Sequence, residues 1–391
     1  MFATLRKPEI ARLCTIPLVT STAGSMTWAI AVLYALDLGA SILQVNLITT
    51  IWSTMGIFLQ VPFGILSDRL GRKPMLLYPT AMTLLGSLMR AFATDPNHLL
   101  VAAFVGGFAG GGFFPILLSM VADVVEPEEQ KESISTLFFF SSVGMLLGPI
   151  ICSFLLTLPQ INLRNIYQID AVSQTGILLY IVTRIQETRP RVKKGERVQY
   201  REYVSELIRQ GTFPYLMAMA FLFFFYNAVM QTYIPIYGRD GLSLSDAEIA
   251  SFATFRSLAI MLIRFSAATF LTRVPIRAFL VSALALGGVT GLITPLASSY
   301  LPIVLVLFLS GASFGATMIL GSTLVAMNST ARNRGIANSL YNISQSTGNL
   351  TKILTTPLVD SLGFAPVFLL GGVTALMSTA PILLRRTIGQ T

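Results

Sequence analysis

Twelve stretches of this sequence are long and apolar enough to cross a lipid bilayer, and that pattern leaves few folds open. They fall near residues 13–36, 42–66, 74–93, 98–121, 133–158 and 165–185, and, after a polar break, near 213–237, 246–270, 276–297, 300–325, 335–357 and 364–384. A run of about 20 apolar residues spans the hydrocarbon core, and in lipid it is helical because its backbone groups find no other partners. Of the 391 residues, 12% are charged, about half of what a soluble chain carries. The expected fold class is an all-α membrane protein with twelve transmembrane helices.

The formal charge of +9 would suit a nucleic-acid binder, but its placement argues otherwise. Of the 27 Lys and Arg, 21 fall in the N-terminus, the turns after even-numbered spans, the central break and the C-terminus. Arg90, Arg164 and Arg239 fall on the other side, and Arg256, Arg264 and Lys352 fall within spans. The positive-inside rule then puts both termini in the cytoplasm of a multi-pass protein of the cell membrane, plasma or bacterial inner. The bilayer accounts for the basic balance, and no nucleic-acid partner is implied. Two cysteines, Cys14 and Cys152, and one histidine, His98, supply neither a disulfide framework nor a metal site. No cofactor is implied.

The chain repeats itself at an offset of 204 residues. Leu38, Ser41, Gln44 and Val45 align with Leu242, Ser245, Glu248 and Ile249, and each set reads as a capping box opening the second helix of its half. Gly107 and Gly111 align with Gly311 and Gly315, and Gly144 aligns with Gly348. Arg69 and Lys73 align with Arg273 and Arg277, while Asp68 meets Thr272. One constant offset over four regions implies two halves of the same topology.

Between the second and third spans lies Gly64-Ile-Leu-Ser-Asp68-Arg69-Leu-Gly71-Arg72-Lys73. Gly64 permits close helix approach, Gly71 a tight reversal, and Asp68 can face helix N-termini or basic side chains. The spacing resembles the loop between helices 2 and 3 of the major facilitator superfamily. The resemblance implies two pseudo-symmetric six-helix bundles, residues 1–185 and 213–391. A cytoplasmic linker, 186–212, joins them and carries an amphipathic helix over Tyr200 to Ile208. It also implies a latch at Gly64, Asp68, Arg69, Gly71, Arg72 and Lys73 that holds helix ends together in one state, with Asp123 pairing to Arg72 or Arg69. Gly144-Met-Leu-Leu-Gly148-Pro149 is similar to a helix-5 motif of the family's antiporters, and also reads as a flat packing face. The glycine-rich helix 4 resembles the family pattern too, but Ala103 stands where proton-coupled members carry an arginine.

Buried charge marks the candidate solute site. Arg256 lies ten residues beyond Asp246, about 15 Å along the helix. A cation at that depth costs roughly 2.5–3.5 kcal/mol unless it faces a cavity or a partner. Lys352 replaces the repeat equivalent of Gly148. Tyr226, Asn227 and Gln231 in helix 7, Asn342 and Gln345 in helix 11, and Thr27 and Trp28 in helix 1 complete the substrate-cavity candidates; each can equally join helices. Asp170 in helix 6 is the acid clearly within a span, so it is the candidate proton carrier, with protons as the coupling ion; its other reading is an interfacial acid against Arg164 or water.

The expected function is alternating-access transport of a small, amphipathic organic solute by an efflux-like monomer. The alternative is an organic-anion uniporter, symporter or exchanger using a cationic C-terminal half-cavity. No Ser/His/Asp set, metal cluster or phosphate loop points to an enzyme.

Overall fold

The computed structural model describes residues 3–110, 113–126, 128–188, 200–209, 211–271, 274–330 and 333–385, with backbone alone at 3–4, 53, 57–65, 68–69, 200–203 and 267–271. The described chain is helical throughout. By internal contact it divides into two compact units, Met1–Gly195 with Asp246–Thr254, and Glu196–Ser245 with Phe255–Thr391.

The first unit contains α1 (Pro8–Asp37), α2 (Ile42–Leu70), α3 (Arg72–Ala91), α4 (Pro96–Gly110), α5 (Phe113–Val124), α6 (Gln130–Leu155) and α7 (Leu163–Arg184). Local chemistry sets their limits. The Gln44 N–H donates to Ser41 Oγ at 3.3 Å and the Ser41 N–H donates to Gln44 Oε1 at 3.0 Å, so the expected capping box opens α2. Asn162 and Asn165 make a second, unforeseen box at the start of α7. Gly71, at φ +106°, separates α2 from α3 within a single residue, a conformation that L side chains rarely adopt. The core of this unit includes Ile10, Leu76, Ile116, Leu117, Leu137 and Ile181, contributed by α1, α3, α5, α6 and α7.

After α8 (Tyr200–Arg209), which stands where the amphipathic segment is expected, come α9 (Phe213–Ile236), α10 (Asp246–Leu271), α11 (Ile276–Ile293), α12 (Tyr300–Met327), α13 (Arg334–Leu350), α14 (Thr356–Leu362), α15 (Phe364–Met377) and α16 (Thr379–Leu384). The eleventh predicted span is not one helix. Its chain tightens into a 3₁₀ turn at Thr351–Thr355 before α14 begins. Pro357 cannot donate to a carbonyl one turn back. The hydroxyls of Thr351, Thr355 and Thr356 instead bond carbonyls three residues earlier, at 2.7, 2.6 and 2.9 Å.

Eight segments among the described residues are long and apolar enough to cross a membrane: Pro8–Asp37, Pro96–Val124, Gln130–Leu155, Phe213–Gly241, Asp246–Ser266, Ile276–Leu296, Tyr300–Met327 and Phe364–Leu384. The other four predicted spans are occupied by α2, α3, α7 and the α13–α14 pair. Large apolar side chains face outward, Phe92 at 72% and Leu296 at 79% exposure, a surface suited to lipid and not to water.

The repeat is visible in packing as well as in sequence. A Cβ on Gly107 of α4 would fall 3.3 Å from the Trp52 carbonyl oxygen of α2. A Cβ on Gly311 of α12 would fall 2.5 Å from the Arg256 carbonyl oxygen of α10. Trp52 and Arg256 are themselves 204 residues apart, so the same glycine admits the same neighbouring backbone in each half. Gly111 and Gly112, Thr272 and Arg273, and the basic residues of the linker from Arg189 to Arg197 lie outside the described residues.

Candidate functional site

Three helices of the second unit meet around Arg256. Asn227 and Gln231 lie one turn apart on α9, so both present to the same neighbour. Arg256 of α10 donates from Nη2 to Asn227 Oδ1. With its carbonyl turned toward the guanidinium, Gln231 accepts from Nη1 at 3.2 Å and Nη2 at 3.1 Å, and from Asn227 Nδ2 at 3.2 Å. Phe314 of α12 lies with its ring centroid 5.1 Å from the guanidinium carbon, a cation–π contact. Gly311 lets α12 come this close. Arg256 is 8% exposed, and among the described residues no carboxylate lies within ion-pair distance of it. The cation is therefore solvated by two amides and a ring face, which hold its position without cancelling its charge.

Lys352 occupies the 3₁₀ turn after α13. Its Nζ donates to Thr232 Oγ1 at 3.1 Å, and the residue is fully buried. The two buried cations thus engage adjacent residues of α9, Gln231 and Thr232, on different sides of that helix. Gly348, on the last turns of α13, allows the approach: a Cβ there would overlap the Phe221 carbonyl oxygen of α9.

The Tyr226 hydroxyl is turned to other partners. Tyr226 is fully buried, and its hydroxyl is shared with Thr290 Oγ1 at 2.5 Å and Ser310 Oγ at 3.0 Å. It is a strut joining α9, α11 and α12, not a lining residue, because its one polar atom is already used inside the half. Tyr233 likewise bonds Thr355 at 2.8 Å. Asn342 is half-buried and Gln345 buried on α13.

In the first unit, Thr27 bonds back to the Gly24 carbonyl at 3.0 Å. Trp28 is exposed and sits 5.7 Å, ring to ring, from Trp52. Gly144 and Gly148 seat α6 on α1: a Cβ on Gly144 would fall 2.5 Å from the Leu18 carbonyl oxygen. Ser25 Oγ donates to the Gly144 carbonyl at 3.2 Å, and Ser21 and Ser141 share a hydrogen bond of 2.9 Å. Pro149 is buried in the same helix.

The α2–α3 turn gathers its own set. Arg72 Nε lies 3.2 Å from Asp123 Oδ2, both side chains largely buried, and Arg72 Nη1 donates to Ser67 Oγ at 3.0 Å. Lys73 Nζ donates to the Val182 carbonyl at 2.9 Å. Glu187 is the residue that sequence reasoning missed. Its carboxylate accepts the Arg72 N–H at 2.8 Å and the Lys73 N–H at 3.1 Å, capping the N-terminus of α3. The available signal was a lone acid just after α7, ahead of a basic run. Of Gly64, Asp68 and Arg69 only the backbone is described, as part of α2. Replacing Gly71 with Ala should cost about 1–3 kcal/mol, because φ +106° with ψ 160° is a conformation essentially confined to glycine. Its Cβ would also fall 2.5 Å from Glu187 Oε2. Thermal unfolding in detergent checks this; an unchanged midpoint would refute it.

Asp170 of α7 is buried, accepting from Ser87 Oγ at 2.6 Å and from Gln174 Nε2 at 3.0 Å. Arg164 does not reach it; its Nη2 donates to the Ala93 carbonyl at 2.9 Å. Among the described residues no cluster of three His, Cys, Asp or Glu could hold a metal ion.

Helices with apolar outward faces, a repeated helix arrangement, one buried cation held by amides and another by a hydroxyl suit a multi-pass membrane protein. The Major Facilitator Superfamily profile matches residues 13–351, and the chain belongs to that superfamily. It is 33% identical over 109 residues to NiaP of Bacillus subtilis (strain 168), a niacin/nicotinamide transporter candidate, covering 28% of this chain and 26% of that one. It is 29% identical over 150 residues to the bacillibactin exporter of the same organism, covering 37% of each. The matches thus span well under half the length of these curated relatives. The fold is similar to that of a point mutant of the nucleoside transporter NupG, with TM-score 0.81 at 11% identity over 96% of this chain and 99% of that one.

Proposed function

We propose that this protein is a secondary transporter that moves a small organic solute by alternating access, and that Arg256 takes a negatively charged group of that solute. The observation that carries the reading is the guanidinium of Arg256, buried beside Asn227, Gln231 and Phe314 with no carboxylate partner among the described residues. Such a group is fixed in place and still electrostatically unsatisfied, which is what an anion site in a low-dielectric setting requires. Lys352 adds positive charge to the same half, and Asn342 and Gln345 offer further polar contacts. Twelve crossings in two six-helix halves, with both termini in the cytoplasm, belong to the same reading. So does a latch in which Arg72–Asp123 and Glu187 at the α3 N-terminus hold helix ends in one state and release them in the other.

Export is the direction we favour, since a relative is named as an exporter and the Gly144–Pro149 motif resembles that of antiporters.

Counterflow into proteoliposomes tests the proposal, using a panel of anionic, neutral and cationic organic solutes matched in size. Saturable counterflow of anions well above that of cations is expected. Flux indifferent to charge, or no greater than in empty liposomes, would refute it.

A further inference from the structure

One set of buried polar groups in the first unit, not used by the solute site, gathers around Asp170. Its carboxylate is 2% exposed, and no cation touches it directly among the described residues. Arg90 of α3 reaches it through Ser87, donating from Nη2 to Ser87 Oγ at 3.3 Å while Ser87 donates onward to Asp170 Oδ2. The guanidinium lies 5.7 Å from the centroid of the Tyr167 ring. The Tyr34 hydroxyl of α1 donates to the Arg90 carbonyl at 2.8 Å, and the Tyr167 hydroxyl donates to the Thr27 carbonyl at 3.3 Å. The remaining titratable groups nearby are Cys152 of α6, buried, and Arg164, committed to Ala93.

The groups around the carboxyl are of an unusual kind. A hydroxyl and a primary amide can each donate or accept, so both can serve a charged carboxylate or a neutral carboxylic acid. A direct arginine pair would hold one charge state; this cradle holds neither. Gln174 Oε1 is also buried without a hydrogen-bond partner, one turn from Asp170. Turning that amide over brings Oε1 to the position from which Nε2 now donates, where it accepts from a protonated Oδ1. A buried carboxylate without an ion pair costs free energy that a proton removes.

We propose that Asp170 is a proton-binding site in the first unit, with Ser87 and Gln174 as positioning residues for both of its forms. The proton comes from bulk water, forms an O–H bond at Oδ1, and breaks no bond in the protein. Its arrival cancels the negative charge that faces Arg90 through Ser87. The guanidinium is then held mainly by the Tyr167 ring, and Tyr167 is bonded to the Thr27 carbonyl, directly before Trp28. Proton binding is thereby transmitted to α1 at the indole. This inference is independent of which solute is carried.

The test uses purified full-length protein in nanodiscs with no solute present. A pH titration is followed by the infrared carbonyl band of a protonated carboxyl group, and in a Trp52→Phe background by Trp28 fluorescence. A titrating band and a fluorescence transition with a common midpoint are expected, both absent in Asp170→Asn and both retained in the exposed-loop control Asp95→Asn. Ser87→Ala keeps the carboxyl but cuts its link to Arg90, so it should retain the band and lose the Trp28 fluorescence transition. A wild-type protein without such a band, a band that survives Asp170→Asn, or a fluorescence transition retained in Ser87→Ala would overturn the proposal. None of these outcomes bears on the anion site, which the counterflow panel tests.

Discussion

Gly148→Ala is expected to lower the thermal midpoint by about 1–4 °C, from an overpacking cost of about 1–3 kcal/mol. A Cβ at this position would overlap Ser25 Oγ and the Thr22 carbonyl oxygen, and would fall 2.9 Å from the Met26 amide nitrogen. The serine could rotate away, but it would give up its bonds to the Thr22 carbonyl at 3.1 Å and to the Gly144 carbonyl. The other two atoms are α1 backbone and cannot yield without moving the helix. Separation of α6 from α1 would then strain the Ser21–Ser141 bond as well. Gly176→Ala in α7 is the control, because nothing lies within 4 Å of its added Cβ. There the better helix former should leave stability unchanged or raise it slightly. Equal midpoints for the two variants would show that α6 and α1 do not approach as closely as described.

Arg256→Ala is expected to abolish transport of anionic solutes while leaving the protein folded. Losing a buried, charge-assisted contact to a ligand costs about 2–5 kcal/mol, or roughly tens- to thousands-fold in transport at low solute concentration. The folded state should tolerate the change, or gain from it. Removing an uncompensated buried cation relieves desolvation, and Asn227 and Gln231 can still bond each other. Arg256→Lys should fail nearly as badly, since an ammonium cannot span both amides in the plane that the guanidinium does. Counterflow and a thermal midpoint measured on the same preparation separate the outcomes. Anion transport retained in Arg256→Ala would end the assignment of this residue.

These two positions are related by the repeat in an instructive way. Lys352 stands 204 residues after Gly148. In the first half a small residue lets α6 run unbroken to Leu155. In the second half the corresponding residue is a buried lysine, and the helix tightens and restarts at Thr356. The duplicated scaffold is kept, and the departure from it places a charge.

Much of the architecture was legible from residues alone. Hydropathy and length depend on neighbours along the chain, so the helices fall where the apolar runs do. Capping by Ser41 and Gln44 and the reversal at Gly71 are equally local. The repeat was legible because Gly107 and Gly311, or Gly144 and Gly348, mark close approaches that no larger residue permits. The pairing of Asp123 with Arg72 was one of two options the motif left open.

The rest depended on which face each helix turns to which neighbour. Tyr226 read as a lining residue, yet α11 and α12 supply Thr290 and Ser310 to consume its hydroxyl. Asp170 looked toward Arg164 in sequence, but α3 packs against α7 so that Ser87 meets it instead, with Arg90 behind Ser87. Glu187 lies far from Gly71 along the chain and caps α3 only because α7 ends beside that turn. The sequence by itself determined the helical membrane class, the spans and the duplication, since those follow from local hydropathy and small-residue spacing. Tertiary structure alone decided the amide cradle of Arg256, the Ser87 and Gln174 contacts of Asp170 and the carboxylate at the α3 N-terminus, because hydrogen-bond partners are chosen by the rotation and register of packed helices.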